Sequence, residues 1–344
     1  MRVSRVPRPL SMIAPTDTDT FGQPGPLLSF VVPAYDRPWL LRTALGSLAK
    51  QETTRPFEVV VTDDLGLAET RQVVDTCGID GVRYVRNPMR LGGVGNWNRG
   101  LALARGEWVS VLHEDDALYP WFVDRVAQRL GAGVAAVAVR CSRGGTPAAV
   151  PRPEGSPRAR SYPSPLFLKG AMTPFPGVVF PRALLHRLGG FDERWGSLAD
   201  FEFWYRLSQQ GKVEVLQEIG AFYRVSDSQW TNRAWPEMLR RAHLLRLRIA
   251  REQFPENARF ARWMARFFTR RNAREYASRF GPTAPILEHV ARFDRMPLRG
   301  LPSGWVWAGL RLLAPGAAGG QGHPLRPSPA VPPARETSAT CSHV

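Results

Sequence analysis

The chain has 344 residues, 44% of them hydrophobic, and it carries 46 Lys and Arg against 30 Asp and Glu, a formal net charge of +16. This composition supports a sizeable core and excludes a wholly disordered, collagen-like or disulfide-scaffold chain. The three cysteines form no CxxC pair, and no apolar run approaches the ~20 residues that span a bilayer. We therefore expect a cytoplasmic protein without a zinc site.

The first part of the chain alternates strand-like and helix-like segments. Residues 1–26 predict a flexible leader, and the apolar run 27–32 predicts a strand that Pro33 ends. A helix should begin at Pro38, because proline is favoured in the first helical turn. Further strands are predicted at 57–62, 82–86, 107–112 and 134–139, with helices at 67–76, 95–105 and 119–130. This alternation indicates βαβ units, an α/β fold with a mostly parallel central sheet flanked by helices.

The second part is less regular. Residues 142–165 are dense in Pro, Arg, Gly and Ser and predict a long loop, either a mobile lid or an insertion. The later segments predict a strand at 177–180, helices at 182–188 and 199–210, and a strand at 212–217. Two helices over 236–280, broken near Phe254, predict a C-terminal helical extension, and residues 314–344 predict a disordered tail.

Most of the positive charge lies in that extension. Residues 233–299 carry 16 basic and 6 acidic side chains, a net charge of +10, whereas residues 1–232 have a net charge of only +4. A basic patch can bind anionic lipid, phosphate or nucleic acid, or it can be a solvated face. We expect no nucleic-acid partner, and peripheral contact of 233–299 with the inner face of the membrane stays open.

Polar side chains follow three of the predicted strands, and chemistry in parallel sheets gathers at the carboxyl ends of strands. These side chains are Tyr35, Asp36 and Arg37 after the first strand, Asp63 and Asp64 after the second, and Glu114, Asp115 and Asp116 after the fourth. Clustered carboxylates are costly unless a cation neutralises them, and oxygen ligands suit Mg²⁺ or Mn²⁺. The alternative is a solvated acidic turn that caps the next helix.

Two further carboxylate sites have two interpretations each. Asp63 and Asp64 can accept hydrogen bonds from a base or ribose, or they can cap the helix that follows. Asp200, in the first turn of the predicted helix 199–210, can act as a general base toward a hydroxyl. It can equally be a carboxylate that the helix dipole favours.

The order of these segments resembles the family 2 glycosyltransferases, inverting enzymes with the nucleotide-sugar-binding GT-A (Rossmann-like) fold. FVVPAYDRPWLLRTALGSLAKQ looks like the family's strand–Pro–x–Tyr–Asn–Arg opening, with Asp36 where Asn is usual. VVVTDDLG looks like its Asp-Asp-Gly-Ser segment, and RNPMRLGGVGNWNRGLALARGEWVSVLHEDD is similar to the run into its metal motif. GGFDERWGSLADFEFWYRL looks like its acceptor-side motif, with Asp200 at the catalytic Asp. The resemblance covers roughly residues 27–225.

The resemblance implies a catalytic domain over 27–232, with a nucleotide-sugar half at 27–140 and an acceptor half at 166–232, before the extension at 233–313. It implies a nucleotide-diphosphate sugar as donor and a hydroxyl acceptor on a glycan, lipid or small natural product. The implied residues are Asp200 as the base, His113, Asp115 and Asp116 around Mg²⁺ or Mn²⁺, and Pro33, Tyr35, Asp36, Asp63, Asp64, Arg90 and Arg99 around the donor. Arg90 and Arg99 can equally be ordinary surface arginines.

Two positions depart from the family pattern. His113 stands where the first Asp of the metal motif is usual, and imidazole ligates Mn²⁺ but suits Mg²⁺ poorly. Ala199 replaces the Glu before the base, and the loss of that charge should make Asp200 easier to ionise. The alternatives are a non-catalytic binding protein with this fold and a basic binder of polyanions or membrane surfaces. Trp230 and Trp235 are either sugar-stacking surfaces or residues packed against the C-terminal helices.

Overall fold

The computed structural model describes residues 25–226 and 230–280, which form one mixed sheet with helices on both faces. The strands are β1 Leu28–Ala34, β2 Phe57–Asp63, β3 Arg83–Arg86, β4 Trp108–Val111, β5 Ala117–Leu118, β6 Val134–Gly144, β7 Ala159–Ser161, β8 Val178–Pro181 and β9 Lys212–Arg224. The helices are α1 Pro38–Ala49, α2 Ala68–Asp75, α3 Gly93–Leu103, α4 Phe122–Ala127, α5 Arg182–Leu188, α6 Ala199–Ser208, α7 Trp230–Gln253 and α8 Ala258–Phe280. No helix in these ranges is both long and apolar enough to cross a bilayer.

Within the described residues the sheet has nine strands in the order β3-β2-β1-β4-β8-β6-β9-β5, with β7 paired to β9. The pairs β1–β2, β1–β4, β2–β3 and β6–β9 are parallel, whereas β8, β5 and β7 run the other way. Six strands therefore share one direction, and the predicted mostly parallel α/β sheet is confirmed. The loops after β1, β2, β3 and β4 meet at one side of the sheet, which we call the carboxyl edge.

The sheet separates two apolar layers because neighbouring strand residues face opposite ways. In β1, which is buried along its whole length, Phe30 and Val32 belong to the layer under α1, α2 and α4, and Val31 belongs to the layer under α3 and α6. Helix α1 begins at Pro38, as predicted, and its buried face is Leu41, Ala44, Leu45 and Leu48. The spacing of this face follows the helical period.

Pro33 does not end the first strand, contrary to the prediction. Strand β1 continues through it to Ala34, which pairs with Asp63. The oxygen of Val31 accepts a hydrogen bond from Leu112, at the end of β4, whereas that of Ala34 accepts one from Asp64 after β2. Pro33 therefore faces the β4 side, beyond the last residue of β4. Because no residue of β4 lies opposite Pro33, its missing N–H breaks no hydrogen bond between strands. A sheet tolerates proline at such a position.

The predicted long loop 142–165 is partly sheet. Strand β6 extends to Gly144, β7 lies inside the segment, and β9 runs to Arg224 rather than ending at 217. Register shifts interrupt the β6–β9 pair, so the apolar alternation breaks where the strands continue. Helix α4 is shorter than predicted, because residues 119–121 turn before it begins.

The two C-terminal helices pack on the layer under α3 and α6. Leu245, Ile249, Met264 and Phe268 are buried in the same cluster as Trp204. Trp235 is also buried there and presents no free stacking surface, whereas the side chain of Trp230 lies outside the described part. The predicted boundary at residue 232 falls inside α7. Residues 1–24 of the predicted leader 1–26, the end of the extension after residue 280 and the tail lie outside the described residues.

Candidate active site at the carboxyl edge

Three metal-ligating side chains come together in the loop after β4. One ligand atom each from His113, Asp115 and Asp116 lies within 4.8 Å of the others. His113 Nε2 and Asp116 Oδ2 are buried without a hydrogen-bond partner among the described residues, while Asp116 Oδ1 accepts the N–H of Arg224 at 3.0 Å. Burial raises the pKa of the Asp116 carboxyl, and the Asp115 charge adds to this effect. Unpaired buried atoms in such a donor set fit a divalent cation.

His113 has the protonation state that a metal ligand needs. Its ring stacks on Phe175, with centroids 4.2 Å apart, and lies 5.0 Å from the ring of Trp97. Burial lowers the pKa of His113 to about 4, so the imidazole is neutral near pH 7. A neutral ring offers a nitrogen lone pair to a metal, whereas a protonated ring offers none. The ring also keeps its orientation, because aromatic side chains pack against it.

Arg37 binds the same loop through two charged hydrogen bonds that the sequence analysis missed. Its Nε donates to Glu114 Oε1 at 2.8 Å and its Nη1 donates to Asp115 Oδ2 at 2.9 Å. The other Glu114 oxygen accepts the N–H of Tyr35 at 3.1 Å. Burial raises the pKa of Glu114 to about 7, although Arg37 opposes that rise. Arg37 therefore neutralises part of the carboxylate cluster and occupies one oxygen of a candidate metal ligand.

Asp63 and Asp64 are buried, and both shape the loops of the carboxyl edge. Asp63 Oδ1 accepts the N–H groups of Leu65 and Gly66 at 2.9 and 2.8 Å, and its Oδ2 accepts the hydroxyl of Tyr84 at 2.8 Å. The carboxylate of Asp64 accepts the N–H groups of Leu91 and Gly92 at 2.7 and 2.8 Å and the amide of Asn87 at 2.9 Å. Neither carboxylate caps α2, whose N-cap is Leu67.

The other residues predicted to bind the nucleotide-sugar donor are spread along this edge. Tyr35 lies under the guanidinium of Arg90, 4.6 Å from the ring centroid, and its N–H bond to Glu114 joins it to the metal loop. The side chain of Asp36 is 54% exposed. Pro33 is buried inside β1, and Arg99 is half-buried on α3. The structure thus brings Tyr35 and Arg90 together beside the cluster, whereas Arg99 makes no hydrogen bond or ion pair with the cluster among the described residues.

Asp200 lies in the first turn of α6, as predicted, and its Oδ1 accepts the N–H of Phe201 at 2.7 Å. Burial raises the pKa of Asp200 to about 6, and backbone hydrogen bonds oppose the rise. The expectation that Ala199 makes this carboxyl easier to ionise than a Glu there would stays a prediction, because burial raises the pKa whichever residue stands at 199. A carboxylate that titrates near neutrality is suited to accepting a proton.

Packed rings connect α6 to the metal loop. Trp204 lies one helical turn after Asp200, on the same face of α6. Its ring is 5.7 Å from the ring of Phe175, which in turn stacks on His113. The helix with the base candidate and the loop with the cation cluster therefore rest on one aromatic cluster, whose rings fix their relative position.

Comparison with known proteins finds one family model and several relatives that match part of the chain. The model of Glycosyl transferase family 2 matches residues 29–187. The chain is 33% identical over 119 residues to the GalNAc(5)-diNAcBac-PP-undecaprenol beta-1,3-glucosyltransferase of Campylobacter jejuni, covering 34% of this chain and 38% of that protein. It is 31% identical over 222 residues to the validoxylamine A glucosyltransferase of Streptomyces hygroscopicus subsp. jinggangensis, covering 54% of this chain and 52% of that protein.

Among solved structures, the chain is similar to S. aureus TarS 1-349 in complex with UDP-GlcNAc, with a TM-score of 0.58 and 19% identity over 77% of this chain and 79% of that one. This likeness shows the fold. The chain spans about half or less of the length of the two curated relatives described above. The ordered motifs and the family match over residues 29–187 both point to the family 2 glycosyltransferases, and the sheet topology and the likeness to TarS show a GT-A fold.

Proposed function

We propose that the protein is a glycosyltransferase that moves a sugar from a nucleotide-diphosphate donor to an acceptor hydroxyl with inversion at the anomeric carbon. The observation that carries the proposal is the group of His113, Asp115 and Asp116 at the carboxyl edge, with two buried atoms unpaired among the described residues. A divalent cation bound by these residues would stabilise the charge on the departing diphosphate. Mn²⁺ suits the imidazole ligand better than Mg²⁺.

This chain's own residues bind and orient the reactants. Tyr35 and Arg90, stacked together at the edge, are proposed to contact the donor, with Asp63 and Asp64 holding the loops around it. Asp200 is proposed to take the proton of the acceptor hydroxyl, because its buried carboxyl titrates with a pKa of about 6. Pro33, Asp36 and Arg99 remain donor-side predictions.

The names of similar proteins support a choice of substrates. The TarS structure contains UDP-GlcNAc, so UDP-sugars are the first donors to test. The two curated relatives are named for glucosyl transfer, one to an undecaprenyl-diphosphate-linked glycan and one to validoxylamine A. A lipid-linked glycan and a small polyhydroxylated molecule are therefore the two acceptor classes that we propose.

A panel of nucleotide sugars, scored by nucleotide release with Mn²⁺ or Mg²⁺ and by mass spectrometry of the products, tests the activity. We expect release to need the cation and to fall at least about 100-fold in Asp200→Asn, the scale of a lost general base. Glu193→Gln is the control, because Glu193 is an exposed carboxylate in the turn before α6. A wild-type rate in Asp200→Asn would refute the base assignment.

The same panel decides the non-catalytic alternative. The ion pair between Arg37 and Asp115 favours it, because a guanidinium occupies an oxygen that a cation would use. A protein of that kind binds UDP or another nucleotide measurably and releases none from any donor with either acceptor class. Turnover with any donor excludes it.

A further inference from the structure

The segment 191–198, here called the base turn, leads directly into α6, whose first turn carries Asp200. An arginine of α7 reaches this segment. Arg241 Nη1 donates to the carbonyl oxygen of Arg194 at 2.8 Å, while its Nε donates to Glu237 Oε1 at 2.7 Å. Glu237 lies one turn earlier on α7, so the guanidinium is held on one side by its own helix and on the other by the base turn.

Gly196 leaves room for the guanidinium of Arg241 beside the base turn. Its backbone has φ +54° and ψ −124°, a conformation that residues with a side chain rarely adopt. A Cβ at this position would lie 2.7 Å from Arg241 Nη1. The absence of a side chain at Gly196 thus leaves the space that the guanidinium of Arg241 occupies.

Other anchors act at the start of the base turn. Asn98 on α3 donates to the carbonyl oxygen of Phe191 at 2.8 Å and accepts its N–H at 2.9 Å. Arg206 on α6 donates to the carbonyl oxygens of Leu188 and Gly190, both at 2.7 Å. These contacts precede Arg194, so the bond from α7 adds a restraint to the half of the turn that is nearer to the base.

Helix α6 has separate ties to α7. Glu202, almost fully buried, accepts from Arg248 at 3.0 Å, and the hydroxyl of Tyr205 donates to Glu252 at 2.8 Å. These contacts hold the body of α6 and do not involve Arg241. Loss of Arg241 should therefore loosen the base turn without detaching the helix.

We propose that Arg241 is a positioning residue for the candidate base: it holds the base turn so that Asp200 meets the acceptor in one orientation. This inference rests on the proposed glycosyl transfer. It also gives the C-terminal helices a part in the site, although they lie beyond residues 29–187, which the family model matches. The loss of a single charged hydrogen bond corresponds to about a tenfold change in local opening.

Arg240→Ala and Arg241→Ala form a matched pair, because both arginines bind Glu237 and only Arg241 donates to the base turn. Amide hydrogen exchange on the full chain should show about tenfold faster exchange across 191–198 in Arg241→Ala and no change in Arg240→Ala. With the nucleotide sugar that the panel identifies, Arg241→Ala should lower kcat about tenfold and leave the donor KM and UDP affinity within about twofold.

In Arg241→Lys, which retains a donor, exchange across 191–198 should be slower and kcat higher than in Arg241→Ala. Equal exchange in the two alanine variants would overturn the proposal, as would faster exchange in Arg241→Ala with an unchanged kcat. If Arg241→Ala unfolds, Gly196→Ala, whose Cβ would lie 2.7 Å from Arg241 Nη1, carries the test. Faster exchange across 191–198 together with a lower kcat supports the positioning role, and wild-type values of both overturn it. Absence of turnover with every donor would instead count against the proposed function, while the exchange result still decides whether the restraint exists.

Discussion

Burial sets the acidity of the two most informative carboxyls at the site. Asp200 and Glu114 both titrate above their ordinary range because the protein removes water from them, with pKa values of about 6 and about 7. Arg37 compensates the charge of Glu114, whereas within residues 25–226 and 230–280 Asp200 receives only backbone hydrogen bonds. The uncompensated carboxyl is the one available to exchange a proton with a substrate.

The raised pKa of Asp200 predicts a pH profile. A general base works as the carboxylate, so kcat should fall about tenfold per pH unit below about pH 6, as Asp200 becomes protonated. Steady-state nucleotide release at saturating donor, measured from mildly acidic to mildly basic pH, checks this. The assignment would be contradicted if kcat fell only near the ordinary pKa of Asp. It would also be contradicted if Asp200→Glu lost kcat at the same pH as the wild type.

The contact between Arg37 and Asp115 predicts a change in cation affinity. In Arg37→Gln the positive charge beside the cluster is lost, so Mn²⁺ should bind about tenfold more tightly. Electron paramagnetic resonance titration of Mn²⁺ measures this without any turnover. Arg42→Gln, on the exposed side of α1, is the control and should bind Mn²⁺ as the wild type does. Weaker binding in Arg37→Gln would mean that the guanidinium orders the ligands instead.

The sequence predicted the cation cluster because its three members are close neighbours along the chain. It could not predict Arg37 as their partner, since Arg37 and Asp115 are separated by 78 positions and meet only because β1 and β4 pair. For the same reason the pattern placed Asp63 at the edge without revealing the N–H groups that it binds. Local motifs identify the side chains, and the sheet determines their partners.

At the scale of elements, α3 lies unusually close to the sheet. A Cβ on Gly100 would lie 2.2 Å from Val31 and 3.2 Å from Thr62 Oγ1, so a glycine is needed where the helix crosses β1 and β2. Asn96, one turn earlier, donates to the carbonyl oxygens of Ala34 and Thr62 and ties α3 to the carboxyl edge. The close crossing brings the loop before α3 to the donor side.

Gly100→Ala should therefore lower the free energy of unfolding by about 2 kcal/mol, because the added methyl group overpacks the contact. Gly46→Ala is the matched control, since Gly46 is also inside a helix and a Cβ added there would meet nothing within 4 Å. That change should raise stability by up to about 1 kcal/mol through helix propensity. Urea unfolding compares the two, and an equal effect of both would contradict the close approach.

Element prediction succeeded where apolar periodicity is uniform and failed where it changes. The segment that became α1 has an apolar residue every three or four positions, and its start was predicted from Pro38. Strand β9 continues into half-buried residues such as Glu218, and the register of its pairing with β6 shifts there. The alternation of apolar and polar residues therefore does not persist along either strand. The short β7 forms only because β9 offers it an edge.

At the scale of the whole molecule, part of the charge of +16 is paired within the protein along α7, whereas Arg259, Arg262 and Arg266 on α8 are exposed. Arg248 pairs with Glu202 and Glu252, Arg241 with Glu237, and Arg246 is buried. Arg246 donates to the carbonyl oxygens of Leu168 and Lys169 at 3.0 and 3.2 Å. Several of these arginines thus bind acids and carbonyl groups of the protein itself.

Arg246→Ala should lower the free energy of unfolding by about 3 kcal/mol, because it leaves two carbonyl groups and a large space in the core. Arg251→Ala, an exposed arginine on the same helix, should change stability by less than about 0.5 kcal/mol. Thermal or urea unfolding of the full chain compares them. A loss of less than about 1 kcal/mol in Arg246→Ala would show that the hydrogen bonds of Arg246 contribute little to stability.

Strand β8 lies between β4 and β6 in the sheet although it follows both in the chain. The sequence-order halves 27–140 and 166–232 are therefore interleaved, and each supplies hydrogen-bond partners to the other. For recombination between relatives, a single crossover near residue 141 would replace β7, β8 and β9 while retaining β4, β5 and most of β6, with which β8 and β9 pair. Replacement of the surface segment 145–158 leaves those pairings intact, so it disturbs the sheet less than a single crossover does.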